Sequence, residues 1–219
     1  MSQLPMAFRE TIQDAAIGER KYIRYFAGRG HFAHLKIQLL PRPGELCALT
    51  RAHTLEIPDD CYHAARAAIV RRLDAGPIRR FPMHGLEVQF LSGTYLPRHS
   101  YPEAFALAAQ MAFDDALAHA SPVIIEPWVL LRLPMRPDVL AEVFKTLTRL
   151  LGKVDASVAF SETFSVDAES PRRLVPRICH VLGLRQPQTL ALPSSREYRP
   201  LQGSLPASSE LSAGLSDWT

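Results

Sequence analysis

The sequence predicts an α/β protein, with a two-layer domain followed by a smaller β-α-β domain. Residues 31–39 (HFAHLKIQL) alternate polar and apolar side chains, as a strand with one buried face does. Two later stretches, 58–74 and 102–119, start with proline and carry apolar residues at helical spacing. A chain of 219 residues can bury one large core or two small ones, and we choose two domains.

The first part of the chain is expected to supply the strands of the two-layer domain. Its predicted elements are a strand at 6–12, a turn at 13–19, a hairpin of strands at 21–26 and 31–39, and a short strand within 45–51. Proline and glycine at 41–44 break the sheet between the last two strands.

Two amphipathic helices are expected to cover that sheet. The first begins at Pro58, carries acidic residues in its first turn and ends before Gly76. Its apolar face is expected to consist of Cys61, Ala65, Ala68, Ile69 and Leu73. A strand at 86–91 and a loop at 93–100 lead to the second helix, 102–119, whose alanines allow close approach to a neighbouring element.

The second domain is expected to begin with a strand that Pro127 interrupts. Its further predicted elements are a helix opened by proline at 137 and closed by glycine at 152, a strand within 153–166, a helix at 170–182 and a last strand at 188–192. From Ser194 onward, proline, serine and glycine predict a tail with little core to bury. The predicted extents are 1–122 and 123–200 for the domains and 201–219 for the flexible tail.

Composition narrows the class of protein. Hydrophobic content of 47% and charged content of 21% are typical of a globular protein, and no apolar run approaches the roughly 18 residues that cross a membrane. Without an apolar signal segment at the N-terminus, we expect a cytoplasmic protein. Cys47, Cys61 and Cys179 are widely spaced and form no CxxC pair, which favours reduced thiols that serve in packing.

Gly28, Arg29 and Gly30, at the turn of the first predicted hairpin, are the most distinctive stretch of the chain. Glycine reaches backbone conformations closed to other residues, and arginine keeps its charge at any accessible pH. We therefore expect a loop that holds Arg29 outward, where its guanidinium group can bind phosphate bidentately. An ordinary hairpin turn is the alternative interpretation.

Basic residues gather in two places, and the net charge of +3 permits an RNA partner without demanding one. One group surrounds the first hairpin and the other flanks the end of the first helix: Arg20, Lys21, Arg24 and Arg29, and Arg71, Arg72, Arg79 and Arg80. Such clusters are most often solvated faces, so they do not identify a nucleic-acid interface alone.

Five stretches, in their order and spacing, resemble the fourth domain of translation elongation factor G and the opening of its fifth domain. They are AFRETI at 7–12, GRGHFAHL at 28–35, AGPIRRFP at 75–82, GTYLPRHSYPEAF at 93–105 and ASPVIIEPWV at 120–129. The tetracycline ribosomal-protection proteins share this architecture. The resemblance covers 6–154 and continues more weakly to 201.

For the fold, the resemblance implies a ribosomal-protein-S5-domain-2-like unit with a left-handed crossover, followed by a ferredoxin-like domain. The second domain is expected to be shortened, because the family's longer connections and glycine-rich stretch are not visible between Ser165 and Gly183.

For function, the resemblance implies two loops at the tip of the first domain that enter the decoding region of the small ribosomal subunit. In the first loop, Gly28, Arg29, Gly30 and His31 inherit an RNA-contacting role, with Arg29 the strongest candidate.

The second loop keeps the family's frame but not its content. Where the family has histidine, acid, valine, acid, serine and serine, this chain reads LPRHSY at 96–101. Leu96 cannot donate a hydrogen bond to RNA, whereas Arg98 and His99 add positive character. Arg98 and His99 are therefore predicted to bind RNA, and the family's specific action is expected to be lost. Tyr95 is predicted to stack on a base, with ordinary packing as the alternative interpretation.

Enzymatic activity is not expected. The sequence contains no GxxxxGK[ST] phosphate loop, so we expect no GTP hydrolysis and no cofactor. His31 and His34 would point to opposite faces of a strand, which predicts no metal site, and no GxSxG nucleophile elbow occurs. Glu10 is interpreted as a strand residue that fixes local hydrogen bonds rather than as an acid catalyst.

The sequence thus favours a non-catalytic protein that binds ribosomal RNA, not DNA, and derives from the distal arm of elongation factor G. A separate protein partner would supply any GTPase. The alternatives are a protein-interaction module that reuses the fold without the ribosome, or a degenerate remnant. The initial Met1 and the polar tail favour a complete gene product over a fragment, without deciding the matter.

Overall fold

The computed structural model describes residues 8–26, 28–134, 136–151, 156–160, 164–184, 188–190 and 197–201. For residues 26, 29, 134, 137, 156–160, 164 and 188–190 it describes the backbone alone. The chain forms two compact units that divide between Ile125 and Glu126. The predicted extents of the two domains and the tail stay predictions.

The N-terminal unit, Phe8–Ile125, is a sheet covered by two helices. In chain order its elements are β1 (Arg9–Ile12), β2 (Ala16–Phe26), β3 (Arg29–Pro41), β4 (Ala48–Arg51), α1 (Asp59–Leu73), β5 (Leu86–Thr94), α2 (Pro102–His119) and the start of β6 (Pro122–Pro134). The four-stranded sheet has the order β2-β3-β5-β4, with β4 and β5 parallel and the other pairs antiparallel. β1 lies beside the start of β6, where Arg9 pairs with Ile125.

The core of this unit follows the sequence pattern. The apolar residues that alternate along β3, namely Ala33, Leu35, Ile37 and Leu39, are fully buried. They pack in one cluster with residues of α1 and α2, and the buried face of α1 consists of the five residues predicted for it. The ends of both helices also agree with the prediction to within two residues.

Three predicted boundaries in the N-terminal unit are wrong. Residues 13–19 are not all a turn, because β2 begins at Ala16, which pairs with Leu39. Arg29 and Gly30 belong to β3, since Arg29 pairs with Phe26, and only residues 27 and 28 separate the two strands. Likewise β5 continues through Gly93 and Thr94, which pair with residues of β3. In each case pairing with a neighbouring strand of the sheet extends the element beyond its predicted end.

The C-terminal unit, from Glu126 onward, is a second sheet with two helices. Its elements are the rest of β6, α3 (Leu140–Leu151), β7 (Ala156–Phe160), β8 (Phe164–Pro171), α4 (Val175–Leu182), β9 (Gln188–Leu190) and β10 (Tyr198–Pro200). β9 and β8 pair with opposite edges of β6, β7 pairs with β8, and all of these pairs are antiparallel. This is the order of a split β-α-β unit. The core contains buried residues of β6, β8, α3 and α4.

The C-terminal unit differs from the sequence prediction in three details. Pro127 does not interrupt β6, because it falls between the residues that pair with β1 and those that pair with β8. Two strands, β7 and β8, occupy the stretch between α3 and the helix predicted at 170–182, where the sequence indicated only one strand. Tyr198–Pro200 pairs with β6, although the sequence placed it in a tail.

Several predictions fall on residues outside those described: the glycine expected to close α3, the end of the last strand at 191–192, and the tail from 202. The predicted α/β class is confirmed by the two sheets and four α-helices of the described residues. The hand of the crossover between β4 and β5 stays a prediction. Among the helices of the described ranges, none has the length and apolar character needed to cross a membrane.

Candidate functional site

Two connections, the first of which continues into β3, meet at one end of the first sheet, and we call them together the tip: residues 28–32 and residues 95–101. The backbone N–H of Phe32 donates a hydrogen bond of 2.7 Å to the carbonyl oxygen of His99. The hydroxyl of Ser100 donates to the carbonyl oxygen of Phe32 at 2.8 Å and accepts from the N–H of Leu96 at 2.9 Å. Ser100 is only 6% exposed. The two predicted loops therefore form one structure.

The second connection is also folded on itself. The N–H groups of His99 and Ser100 both donate to the carbonyl oxygen of Leu96, at 3.1 and 2.9 Å. The Tyr101 hydroxyl donates to the carbonyl oxygen of Arg98 at 2.9 Å. Arg98 has a φ of 74°, in the left-handed region that side chains other than glycine rarely occupy. This tight turn leaves the side chains of Arg98 and His99 exposed.

Gly30 lies close against a neighbouring side chain, whereas Gly28 adopts a backbone conformation that favours glycine. A Cβ atom on Gly30 would lie 2.9 Å from Nδ1 of His99, so a side chain there would displace the histidine. Gly28 has a φ of 76°, with open space where a Cβ would be. The sequence predicted only the second of these roles.

The structure brings together most of the residues predicted to bind RNA. Gly30 lies against His99, and the ring centroid of His31 is 5.3 Å from that of Tyr101. Tyr95 is exposed and directly follows β5. For Arg29 the structure describes only the backbone, at the start of β3.

Charges around the tip divide into paired and unpaired groups. Arg20 is held by Asp115 at 2.5 Å. His34 contacts Glu19 at 2.8 Å, and hydrogen bonds from His34 and Lys36 hold the pKa of the Glu19 carboxyl below its ordinary value.

Other cations have no such partner. In the part of the chain that the structure describes, Lys21, Arg24 and Arg98 make no ion pair and are exposed. Arg98 on the second connection and Lys21 and Arg24 on β2 therefore present positive charge to solvent. The charge of Arg20 is balanced by Asp115.

Sequence reasoning missed three contributors to this region. Ser100 joins the two connections. The resembled family also has serine at this position, and that match could have indicated a structural role. Ile23 and Tyr25, on β2, are 69% and 79% exposed. Their alternation along the strand predicts a shared face, and the Tyr25 hydroxyl donates to the carbonyl oxygen of Gly28 at 3.2 Å.

The described residues offer little for catalysis. No group of three His, Cys, Asp or Glu side chains among them could hold a metal ion. Burial, together with Asp60, raises the pKa of the Cys61 thiol to about 12, and burial also raises the pKa values of Cys47 and Cys179. Such thiols are weak nucleophiles. Glu10 accepts three backbone hydrogen bonds, in agreement with its interpretation as a hydrogen-bonding residue.

Known proteins resemble this chain in both sequence and fold. The family model for elongation factor G, domain IV, matches residues 5–121. Elongation factor G of Thermotoga maritima is 31% identical over 180 residues, which cover 75% of this chain and 26% of that protein. Its counterpart in Thermotoga neapolitana is 31% identical over 160 residues, 71% of this chain and 23% of that protein. This chain therefore spans about a quarter of the length of these curated relatives.

A crystal structure of a protein from Thermus thermophilus superposes with a TM-score of 0.70 at 23% identity. The superposition covers 91% of this chain and 30% of that one, so the two share a fold over nearly all of this chain. Because the family model covers more than half of the residues, this chain belongs to the elongation factor G domain IV family.

Proposed function

We propose that this protein is a non-catalytic, ribosome-directed RNA-binding protein whose tip contacts ribosomal RNA of the small subunit, in the decoding region. One observation carries the proposal. The two tip connections are joined through Ser100, Phe32 and His99, and the joined structure exposes Arg98 without an ion pair among the described residues. A rigid protrusion with an unpaired guanidinium group suits insertion into phosphate-rich surroundings.

The predicted RNA-binding residues other than the two glycines each have a chemical role in this proposal. Arg29 and Arg98 bind backbone phosphates as permanent cations. His31 and His99 donate hydrogen bonds from their ring nitrogens, and Tyr95 offers an exposed aromatic face for stacking on a base. The side chain of Leu96, which is exposed beside them, can offer no hydrogen bond to RNA. The tip therefore anchors the protein on RNA without reproducing the action associated with the histidine of the family.

The proposal includes a separate protein partner that carries a GTPase. The matched family model is that of domain IV, and this sequence has no phosphate loop, so we infer that the chain does not hydrolyse GTP itself. A protein that carries a GTPase would supply that activity where it is needed. The site of action would be the cytoplasm, during or around translation elongation.

Co-sedimentation of the full chain with small and large ribosomal subunits, over a series of salt concentrations, tests the proposal. We expect binding to the small subunit that weakens as salt rises, because phosphate contacts release counterions. Arg29→Ala and Arg98→Gly should each weaken it about tenfold, the equivalent of roughly 1.4 kcal/mol. Arg149→Gln, which removes an exposed cation from α3, is the matched control and should leave binding unchanged.

Absence of small-subunit binding at low salt would refute the proposal for this chain. Equal losses in the tip variants and in the Arg149→Gln control would also contradict it, because the effect would then reflect net charge alone.

A protein-interaction module is the second candidate, and one observation favours it. Ile23 and Tyr25 lie on the same face of β2 and are far more exposed than is usual for large apolar side chains. If they formed a protein interface, association with the partner would be insensitive to salt. Ile23→Ser would then abolish this association, whereas substitution of the tip arginines would leave it unchanged.

A further inference from the structure

The turn that follows α1, residues 76–81, is held by a buried carboxylate. Glu10 is fully buried, and its oxygens accept hydrogen bonds from the backbone N–H groups of Ile78, Arg79 and Phe81 at 2.7, 2.8 and 3.0 Å. Three such bonds to one charged acceptor fix the backbone of the turn on both sides of Arg80.

Further contacts leave the turn little freedom. The N–H of Gly76 donates to the carbonyl oxygen of Phe81 at 2.8 Å, and the Phe81 ring stacks on Phe8 with centroids 5.6 Å apart. A Cβ atom on Gly76 would lie 2.4 Å from Oε2 of Glu10, so the carboxylate fits closely against the glycine. The backbone N–H groups of the turn already donate to the carboxylate of Glu10. An external anion would therefore have to bind the side chains of the turn.

What this rigid turn displays is positive charge. Arg79 and Arg80 are both exposed, and neither makes an ion pair within the described part of the chain. Arg80 has a φ of 63°, a conformation that glycine adopts at lower cost. Residues held in such conformations concentrate at functional sites. Arg80 and Arg98 share all these features, which sets both apart from Arg72, whose guanidinium group is bound to Asp114 at 2.7 Å.

The turn and the tip lie at opposite ends of the same sheet. The turn joins the start of β5 through residues 82–85, and the tip follows the end of that strand at Thr94. A strand of this length spans about 30 Å. The two basic sites can therefore contact separate stretches of one nucleic acid.

We propose that the turn at 76–81 is a second RNA-contacting surface, at which Arg79 and Arg80 bind backbone phosphates. This inference rests on the proposed function, because it takes RNA as the partner. The residues that carry it lie outside the tip. Two adjacent guanidinium groups on a fixed backbone match phosphate geometry. Ile78 beside them is also exposed, at 42%, so the surface carries one apolar side chain next to the two guanidinium groups.

The test measures binding of the full chain to oligouridine RNA and to small ribosomal subunits across a salt series. The turn variant is Arg79→Gln with Arg80→Gly, and the matched control is Arg149→Gln with Arg177→Gln, two exposed arginines of the other unit. The plot of log K for oligouridine against log salt has a negative slope, and each phosphate contact on a single strand contributes about 0.7 to its magnitude. We expect the turn variant, which loses two such contacts, to reduce that magnitude by about 1.4. The control should keep the wild-type slope.

Arg80→Gly separates binding from folding. Glycine relieves the positive φ, so this variant should melt at or above the temperature of the wild type and still bind RNA more weakly.

The outcomes distinguish the two proposals. Loss of small-subunit binding in Arg98→Gly with wild-type behaviour of the turn variant supports the tip and overturns the second surface. Reduced oligouridine binding in the turn variant, with no effect of Arg98→Gly, supports the second surface and contradicts the tip. An equal loss in the turn variant and in the control overturns the inference, as does a wild-type chain that does not bind oligouridine at low salt.

Discussion

The Ser100 hydroxyl donates a hydrogen bond of 2.8 Å to the carbonyl oxygen of Phe32, sixty-eight residues earlier in the chain. Because the same oxygen accepts from the N–H of Leu96, one buried hydroxyl satisfies a group in each of the two tip connections. The position of Arg98 relative to the first connection therefore depends on a side chain that is itself almost wholly shielded from solvent.

Ser100→Ala should loosen the tip without unfolding the N-terminal unit. The carbonyl oxygen of Phe32 and the N–H of Leu96 would lose their partner, at a cost of about 1–3 kcal/mol. Urea unfolding measures this loss, and small-subunit binding should weaken with it. Ser92→Ala, in the partly buried part of β5, is the control for loss of a hydroxyl. Unchanged stability in Ser100→Ala would show that the hydroxyl does not join the connections.

Gly18 allows β2 and α2 to approach each other. A Cβ atom on Gly18 would lie 2.0 Å from the carbonyl oxygen of Ala112 and 2.6 Å from the backbone nitrogen of Ala116, and backbone atoms of a helix cannot move aside cheaply. Gly18→Ala should therefore destabilise the fold by about 3 kcal/mol, the upper end of the usual cost of overpacking. Ile17→Ala, at the exposed neighbour, should cost less than about 0.5 kcal/mol. Thermal unfolding of both variants checks the difference.

The sequence predicts the elements whose signals are local. The helix α1 begins directly after Pro58 and α2 begins at Pro102, and each buries one face at helical spacing. The strand β3 alternates along its length, so all three elements appear where expected. The start of β2 depends instead on Ala16 pairing with Leu39, and β10 exists because Tyr198–Pro200 pairs with β6. Pairing between segments that are distant in the chain does not by itself produce a periodic pattern of polar and apolar residues in either segment.

The candidate site divides in the same way. Glycine and arginine at 28–30 indicate a basic turn from sequence alone, and the composition of 95–99 indicates an altered second loop. The sequence carries no sign that His99 occupies the space beside Gly30, nor that Arg98 and Arg80 adopt positive φ. These features follow from contacts across the tip and from the hydrogen bonds of Glu10, which only the folded chain brings together.

Glu10→Gln should weaken the turn at 76–81. Glutamine offers one acceptor oxygen where Glu10 uses two, and its amide would direct hydrogens at backbone N–H groups. With at least one of these backbone N–H groups left without its acceptor, we expect a loss of about 1–3 kcal/mol in the free energy of unfolding. Amide hydrogen exchange should become faster at Ile78, Arg79 and Phe81. Glu45→Gln, an exposed carboxylate change, is the control; an equal effect there would contradict a specific role for Glu10.

Glu87 should give the N-terminal unit a characteristic dependence on pH. This carboxylate is only 6% exposed, accepts hydrogen bonds from Gln89, Arg42 and Thr50, and is ion-paired with Arg42. These bonds, with that from Gln89 the largest cause, lower the pKa of Glu87 below its ordinary value of 4.5. The folded state thus favours the charged form more strongly than the unfolded state does.

A depressed folded-state pKa fixes the sign of the effect. The stabilisation by Glu87 is fully present above the unfolded pKa, and it is lost as pH falls through the lower folded value. The difference in unfolding free energy between the wild type and Glu87→Gln should therefore be constant between about pH 6 and 8 and should shrink below about pH 4.5. Urea unfolding at several pH values measures this difference. Because other carboxylates titrate equally in both proteins, they cancel from it. A difference that persists undiminished at about pH 3 would mean that folding does not lower the pKa of Glu87.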